Sequence, residues 1–481
     1  MYDAARMEHL MFIRAKDKNA AGPTNNWVAP EKACRKAAGI FKDSMRDRVA
    51  RVCEAPKVRS RPVGLSAPDS RAGGSRRRRG SPAFACLPLI LGLLTGCPPQ
   101  GPIRPAPPTP TPQPTIRHEP PIRPPDPRSV WPPRAIWVVR QAYRSPDQVI
   151  DIIDRCARAG FNTVLFQVRG NGTAFYRSLR EPWSEEFPNG DPGFDPLAVA
   201  VTEAHRRGMA LHAWVNVMPG WRGSGPPRDP RQLYNTHRDW FLRDQTGRLQ
   251  PLGGFYVSVN PCLPEVRSYL VDVFEEIVTG YRVDGLHLDY IRCPLDKAPQ
   301  GSDYPHDART LQLYRQATGG RPQDSRSRWT LWRQQQVTQL VRDIRSMCQR
   351  RRPGLRLTAA CKPDIDMGRN DSFQDGPLWL NGNLVDAVFV MNYTADTGSF
   401  RRRQEAWMKS APDRWVIPGL GAYTHGSDAV TIAQLDLADS WKRGFAFFSS
   451  NSLFDNDPRS RQRLNAVQPR LLDLQRRAAG R

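Results

Sequence analysis

From about residue 135 onward, short apolar runs rich in β-branched and aromatic residues alternate with longer stretches of helical periodicity. The runs expected to be strands are Ala135–Val139, Asn162–Val168, Met209–Val215, Val283–Tyr290, Leu355–Ala360, Leu384–Met391, Trp415–Pro418 and Gly444–Ser449. Between them, Pro146 opens a helix whose face carries Val149, Ile152, Ile153 and Cys156, with Gly160 as its stop. Pro196–Arg207, Pro264–Val278, Trp329–Cys348 and Thr431–Trp441 show the same amphipathic spacing. Strictly alternating strand and helix implies right-handed parallel crossovers, and eight repeats favour closure into a (β/α)8 barrel. No GxGxxG follows the first strand, which argues against a dinucleotide fold.

In such a barrel, chemistry collects at the C-terminal ends of the strands. Read in order, those ends and their loops offer Gln167, Arg169, Tyr176, Glu181 and Trp183, then Trp214 and Asn216, then His287 and Asp289. Lys362, Asp364 and Asp366 follow the fifth strand, and Asn392, Tyr393 and Asp396 the sixth. Aromatic faces suit the C–H faces of sugar rings, while amides and carboxylates suit hydroxyls. Glycoside cleavage generally uses two carboxyl groups. Asp289 is the first choice, because it ends an apolar strand on the same side as His287, with Leu286 and Leu288 on the other. Glu181 is the expected partner, since Phe175, Tyr176 and Trp183 around it could raise its pKa. Asp364, Asp366 and Asp396 stand as alternatives.

The segments FNTVLFQVRGNGTAFYRS, EPWSEEF, DPLAVAVTEAHRRGMALHAWVN, VDGLHLDYIR and VDAVFVMNYT, in that order, resemble the glycosyl hydrolase-like 10 family from about Arg134 to Asp455. The resemblance implies a (β/α)8 barrel and hydrolysis of O-glycosidic bonds. The family includes envelope lipoproteins acting on peptidoglycan glycan strands that lack stem peptides. Carried over by motif, Gln167 and Arg169 line the second strand's mouth, Glu181 belongs to the EPW loop, Asn216 closes AWVN and Asp289 ends the fourth strand. A catalytically silent carbohydrate-binding lipoprotein is the competing reading, and a barrel lyase or isomerase the third.

The region before the barrel has its own logic. Pro98–Pro133 holds proline at 16 of 36 positions, a composition that favours extended polyproline geometry and reads as a semi-rigid spacer. Ahead of it, Arg76–Arg79 precede an apolar run over Ala83–Leu94 that is too short to span a bilayer. Leu94-Thr95-Gly96-Cys97 then resembles a bacterial lipobox. The expected divisions are an unstructured extension (1–75, from a start placed too far upstream), a lipoprotein signal peptide (76–96), a linker (97–133) and the barrel (134–470). Acylated Cys97 would hold the barrel at a membrane outside the cytoplasm.

Two further properties narrow the partners. The net charge is +24. Residues 1–96 account for +11 of it, and the remaining excess is dispersed, so solvated surface is expected and a nucleic-acid partner is not. Of nine cysteines, five follow Cys97, none in a CxxC or beside histidines at metal-ligand spacing. No metal or organic cofactor is expected. The expected partners are a polysaccharide substrate and, through the lipid, a membrane; oligomeric state leaves no signature.

Overall fold

The computed structural model describes residues 130–479, apart from residue 254 and residues 294–297. The expected extension and signal peptide, Cys97 and nearly all of the expected linker lie outside the described residues. Within them the chain forms β1 (Arg134–Val138), β2 (Thr163–Arg169), β3 (Ala210–Asn216), β4 (Pro219–Trp221), β5 (Val257–Ser258), β6 (Gly285–Asp289), β7 (Arg356–Cys361), β8 (Ala387–Val390), β9 (Trp415–Leu420) and β10 (Phe445–Phe447). Eight of these close in the order β1-β10-β9-β8-β7-β6-β3-β2, every pair parallel. The expected (β/α)8 barrel is therefore present, and each anticipated strand overlaps an observed one.

Helix starts follow the local chemistry. Ser145 caps Pro146–Arg158 by accepting from the Gln148 amide, and Asp195 caps Pro196–Arg206 by accepting from those of Leu197 and Ala198. In each, proline occupies the first turn, where its missing donor costs nothing. Several elements go beyond the sequence expectation, among them two short strands and two helices. β4 and β5 pair antiparallel in the long connection after β3, Ala308–Thr318 forms a helix after β6, and Pro458–Ala479 closes the chain as a long helix.

Alternation along the strands separates two apolar layers. Leu286 and Leu288 join the large cluster beneath the outer helices. Trp137, Leu165, Trp214, Phe389 and Ile417 fill the barrel interior. Gly285 is needed where β6 passes β3, because a Cβ there would lie 2.6 Å from the His212 ring. The five cysteines of the barrel are all buried thiols.

Candidate active site

Asp289 is the last residue of β6 and is 6% exposed, placed beside Asn216 of β3 in the parallel register. Its Oδ1 accepts from the Tyr290 amide at 2.6 Å and from Arg292 Nη1 at 3.0 Å, and neither of these bonds uses Oδ2. Tyr290 sits at φ +48°, a left-handed conformation that is uncommon for a bulky side chain. That turn brings the Arg292 guanidinium over the Tyr290 ring at 4.1 Å. The strand therefore ends in a tight bend that fixes the carboxyl at the mouth.

An aromatic floor lies beside it. Tyr393, following β8, packs against Phe448 at 5.1 Å, Tyr423 at 6.0 Å and Trp137 at 6.3 Å. Burial, then Tyr423 and the charge of Asp289, push the Tyr393 hydroxyl well above its usual pKa, which keeps it protonated and places it in the same mouth as Asp289. Gly421 makes room for it, since a Cβ there would fall 2.6 Å from that of Tyr393. Trp214 reaches the floor through Phe448 at 6.5 Å.

The opposite rim is charged. Arg140, at the exit of β1, pairs with Glu186 at 2.7 Å and donates to the Tyr256 hydroxyl at 3.3 Å. Arg144 takes the other Glu186 oxygen at 3.1 Å, and Tyr256 stacks edge-on against Tyr290 at 5.2 Å. A continuous chain of contacts thus runs Glu186–Arg140–Tyr256–Tyr290–Arg292–Asp289 across the mouth. Burial alone would raise the Glu186 pKa. Arg140, Arg144 and Arg222 outweigh it and hold the carboxyl below its usual range. Sequence reasoning passed over Glu186, although its signal lay in the third glutamate of EPWSEEF.

Several anticipated residues have other roles. Glu181 is a correction. Its side chain is wholly buried, bound by Arg169 Nε at 2.9 Å and Nη2 at 2.7 Å, and by the Tyr269 hydroxyl at 3.3 Å. No sugar oxygen reaches a carboxyl so enclosed. Arg169 is equally buried, and its Nη1 donates to the carbonyls of Asn216, Val217 and Pro219, so it clamps the exit of β3 rather than lining the mouth. Tyr176 is fully buried and donates outward to Glu276 at 3.2 Å. His287 lies below the mouth, accepting from Trp137 Nε1 at 3.1 Å and meeting the Thr358 hydroxyl at 2.9 Å. Burial, then His212, drives the His287 pKa well below 6.5, so it is a neutral interior group.

The remaining candidates divide between the mouth and its supports. Asn216 uses its amide to bridge Trp214 and the Gly170 carbonyl, both at 3.1 Å. Gln167 accepts from the Arg140 amide at 3.1 Å and so orients that arginine. Asn392 is buried, donating to the Phe400 carbonyl at 2.7 Å. Asp364 and Asp396 are exposed helix caps, accepting from the amides of Met367 and Ser399. Asp366 is exposed in the first turn of that Asp364-capped helix, Lys362 is half-buried beside it, and half-buried Trp183 packs edge-on against Phe187. Among the described residues, no group of three or more His, Cys, Asp or Glu side chains is placed to hold a metal.

A parallel barrel with a carboxyl and an aromatic floor at its C-terminal mouth is the architecture of many carbohydrate-active enzymes. Residues 128–422 match the glycosyl hydrolase-like 10 family, and the chain belongs to that family. It is 29% identical over 293 residues to glycosyl hydrolase DigH of Escherichia coli O6:H1, covering 57% of this chain and 56% of that protein. It is 29% identical over 215 residues to glycosyl hydrolase YngK of Bacillus subtilis, covering 43% and 38%. The chain thus spans about half or less of the curated relatives it matches. Among solved structures, the glycoside hydrolase domain of PgaB (BpsB) from Bordetella bronchiseptica superposes with a TM-score of 0.52 at 14% identity, over 71% of this chain and 98% of that one. That likeness is one of fold.

Residues 1–55 separately match the phosphoenolpyruvate carboxykinase N-terminal domain. The chain is also 54% identical over 46 residues to phosphoenolpyruvate carboxykinase [GTP] of Anaeromyxobacter sp. (strain K), covering 10% of this chain and 8% of that enzyme. Periodicity of apolar positions gave no hint of this likeness.

Proposed function

We propose that the protein is a glycosidase acting on an envelope polysaccharide, with Asp289 as the carboxyl that works at the anomeric carbon. The observation that carries the reading is the placement of Asp289 at the end of β6, held by Arg292 and the Tyr290 amide and adjoining the Trp137–Tyr393–Phe448 floor. A glycosidic transition state carries positive charge on the sugar ring, and a fixed carboxylate beneath it supplies the compensating charge. Glu186 replaces Glu181 as the second carboxyl. Its three arginines favour the charged form, which suits a base or a charge-stabilising group rather than a proton donor. Tyr393 would stack on a sugar face, with Trp214 supporting the floor from below through Phe448. Peptidoglycan glycan strands freed of stem peptides are the proposed substrate, supported by the family likeness. Cys97, in its lipobox-like context, is the proposed lipid anchor, which sets the barrel on the outer side of a cytoplasmic membrane or in the periplasm.

Mass spectrometry of products from amidase-treated peptidoglycan tests this. The reading expects shortened glycan fragments, lost in Asp289→Asn. A silent carbohydrate-binding lipoprotein is the second reading, favoured by the burial of Glu181 and the capping roles of Asp364 and Asp396. It expects glycan retention with no product.

A further inference from the structure

All eight parallel strands start on one face of the barrel, opposite the mouth. The segments feeding them, 130–134, 159–163, 207–210, 281–285, 352–356, 382–387, 411–415 and 441–445, hold eight basic residues and three acidic ones. Two of the three acids are already engaged, as are two of the basic residues, Arg207 with Glu203 and Asp154 and Lys442 with Asp439. Asp284 accepts from His205 at 2.9 Å and from the Leu211 amide at 2.8 Å, and Asp386 is paired by Arg345 at 2.8 Å. Basic residues near helix C-termini are ordinary, so the count alone decides little.

A cleft makes the face specific. A cavity of about 350 Å³ opens between the start of β7 and the long helix Arg326–Arg351, lined by Arg345, Arg352, Arg356, Gln349 and Asp386. Arg352 Nη1 donates to the Tyr281 carbonyl at 2.6 Å, and the Arg356 guanidinium stacks on Trp131 at 4.2 Å. Burial lowers the pKa of both, so the cleft holds partly desolvated positive charge that an anion would relieve. Trp131 meets Trp415 edge-on at 5.4 Å on the same face. Indoles beside guanidinium groups are the pairing found at the headgroup level of membranes.

The chain also enters the barrel here. Val130, the first described residue, receives a hydrogen bond on its carbonyl from Asn162 at 3.3 Å, just ahead of β2. Cys97 lies 33 residues upstream. An anchor that close along the chain would keep a weakly attractive face at high effective concentration near the membrane.

We propose that this strand-start face docks on anionic phospholipid, with headgroup phosphates received in the Arg345–Arg352–Arg356 cleft, so that the mouth around Asp289 points away from the membrane. The orienting consequence rests on the reading of Cys97 as the anchor; the lipid-binding surface does not. The face would hold the barrel in one orientation while the linker sets its range.

The test is vesicle flotation of the full chain carrying Cys97→Ala, which separates the docking face from the anchor. Vesicles contain phosphatidylcholine alone or with phosphatidylglycerol. The Arg76–Arg79 run is common to all variants, so differences between them report the face. Arg352→Glu/Arg356→Glu should weaken binding to phosphatidylglycerol vesicles by about tenfold or more, at roughly 1 kcal/mol per basic residue near an anionic surface. Arg350→Glu, exposed on the adjoining helix end, gives a second readout in case the double variant is poorly folded, and should weaken binding severalfold. Arg180→Glu/Arg228→Glu in the mouth-side loops should leave binding as in the parent. Equal binding by parent, Arg350→Glu and the double variant overturns the proposal. Titration with inorganic phosphate is the second arm. Tight phosphate binding with unchanged vesicle affinity in the double variant makes the cleft a soluble-anion site and also overturns it. Preferential, salt-sensitive binding of double-stranded DNA lost in the same variant assigns the face to polynucleotide instead.

Discussion

Replacing Glu181 by glutamine removes one negative charge while keeping nearly the same volume. Among the described residues, the charge it removes belongs to the carboxylate that binds Arg169, and both side chains are fully buried. Breaking a buried pair by removing one partner costs about 3–5 kcal/mol, because the remaining charge is left in a medium that solvates it poorly. Three carbonyls of the β3 exit still receive Arg169 Nη1, which places the expected loss near about 3 kcal/mol, the lower end of that range. Urea unfolding followed by tryptophan fluorescence measures it, with turnover recorded well below the transition. The expected outcome is a clear fall in the unfolding midpoint with turnover per folded molecule within about tenfold of the parent, since no substrate group meets Glu181. A variant as stable as the parent but devoid of turnover would refute the structural role and return Glu181 to the chemistry.

Glu186 is expected to behave oppositely. Glu186→Gln should keep the fold with some loss of stability at neutral pH, and lose about 100-fold or more in turnover on glycan strands, the scale of a positioned acid or base. Its folded pKa is depressed, so the charged form contributes stability above the unfolded carboxyl value, lost as pH falls through the folded one. Acid unfolding below about pH 4.5 should therefore be less pH-dependent in Glu186→Gln than in the parent. Tyr393→Phe, which removes a hydroxyl near Asp289 but keeps the ring, should lower turnover more than it changes retention on immobilised glycan. Cys97→Ala should abolish processing and lipid labelling in cells, and unchanged processing and labelling would refute the lipid attachment.

The eight strands were legible because each is an apolar run, and most are followed by a helix start marked by proline or a capping side chain. β4 and β5 were not, since strands of three and two residues carry no measurable alternation. The site was legible in face but not in depth. His287 and Asp289 do share one side of β6, yet two residues along a strand is about 6.6 Å. That step is enough to put His287 among Trp137 and Thr358 and leave Asp289 at the rim. Arg169 defeated the same alternation for another reason. The pairing of β2 with β3 shifts register between Gln167 and Arg169, so the arginine turns away from the lumen and takes Glu181 with it. Which glutamate of EPWSEEF meets the mouth is thus decided by a partner twelve positions back, and not by the motif.

The central claim is that Asp289 performs the chemistry. Asp289→Asn preserves shape and can still accept from the Tyr290 amide, while it removes the charge that Arg292 meets at 3.0 Å. The direct measurement is the rate of glycan-strand cleavage by purified Asp289→Asn, taken alongside its melting temperature. The account predicts a variant that still folds cooperatively, with a melting temperature lowered by the loss of the charge opposite Arg292, and a rate lower by about three orders of magnitude or more. A folded Asp289→Asn enzyme cleaving at a near-parental rate would contradict it.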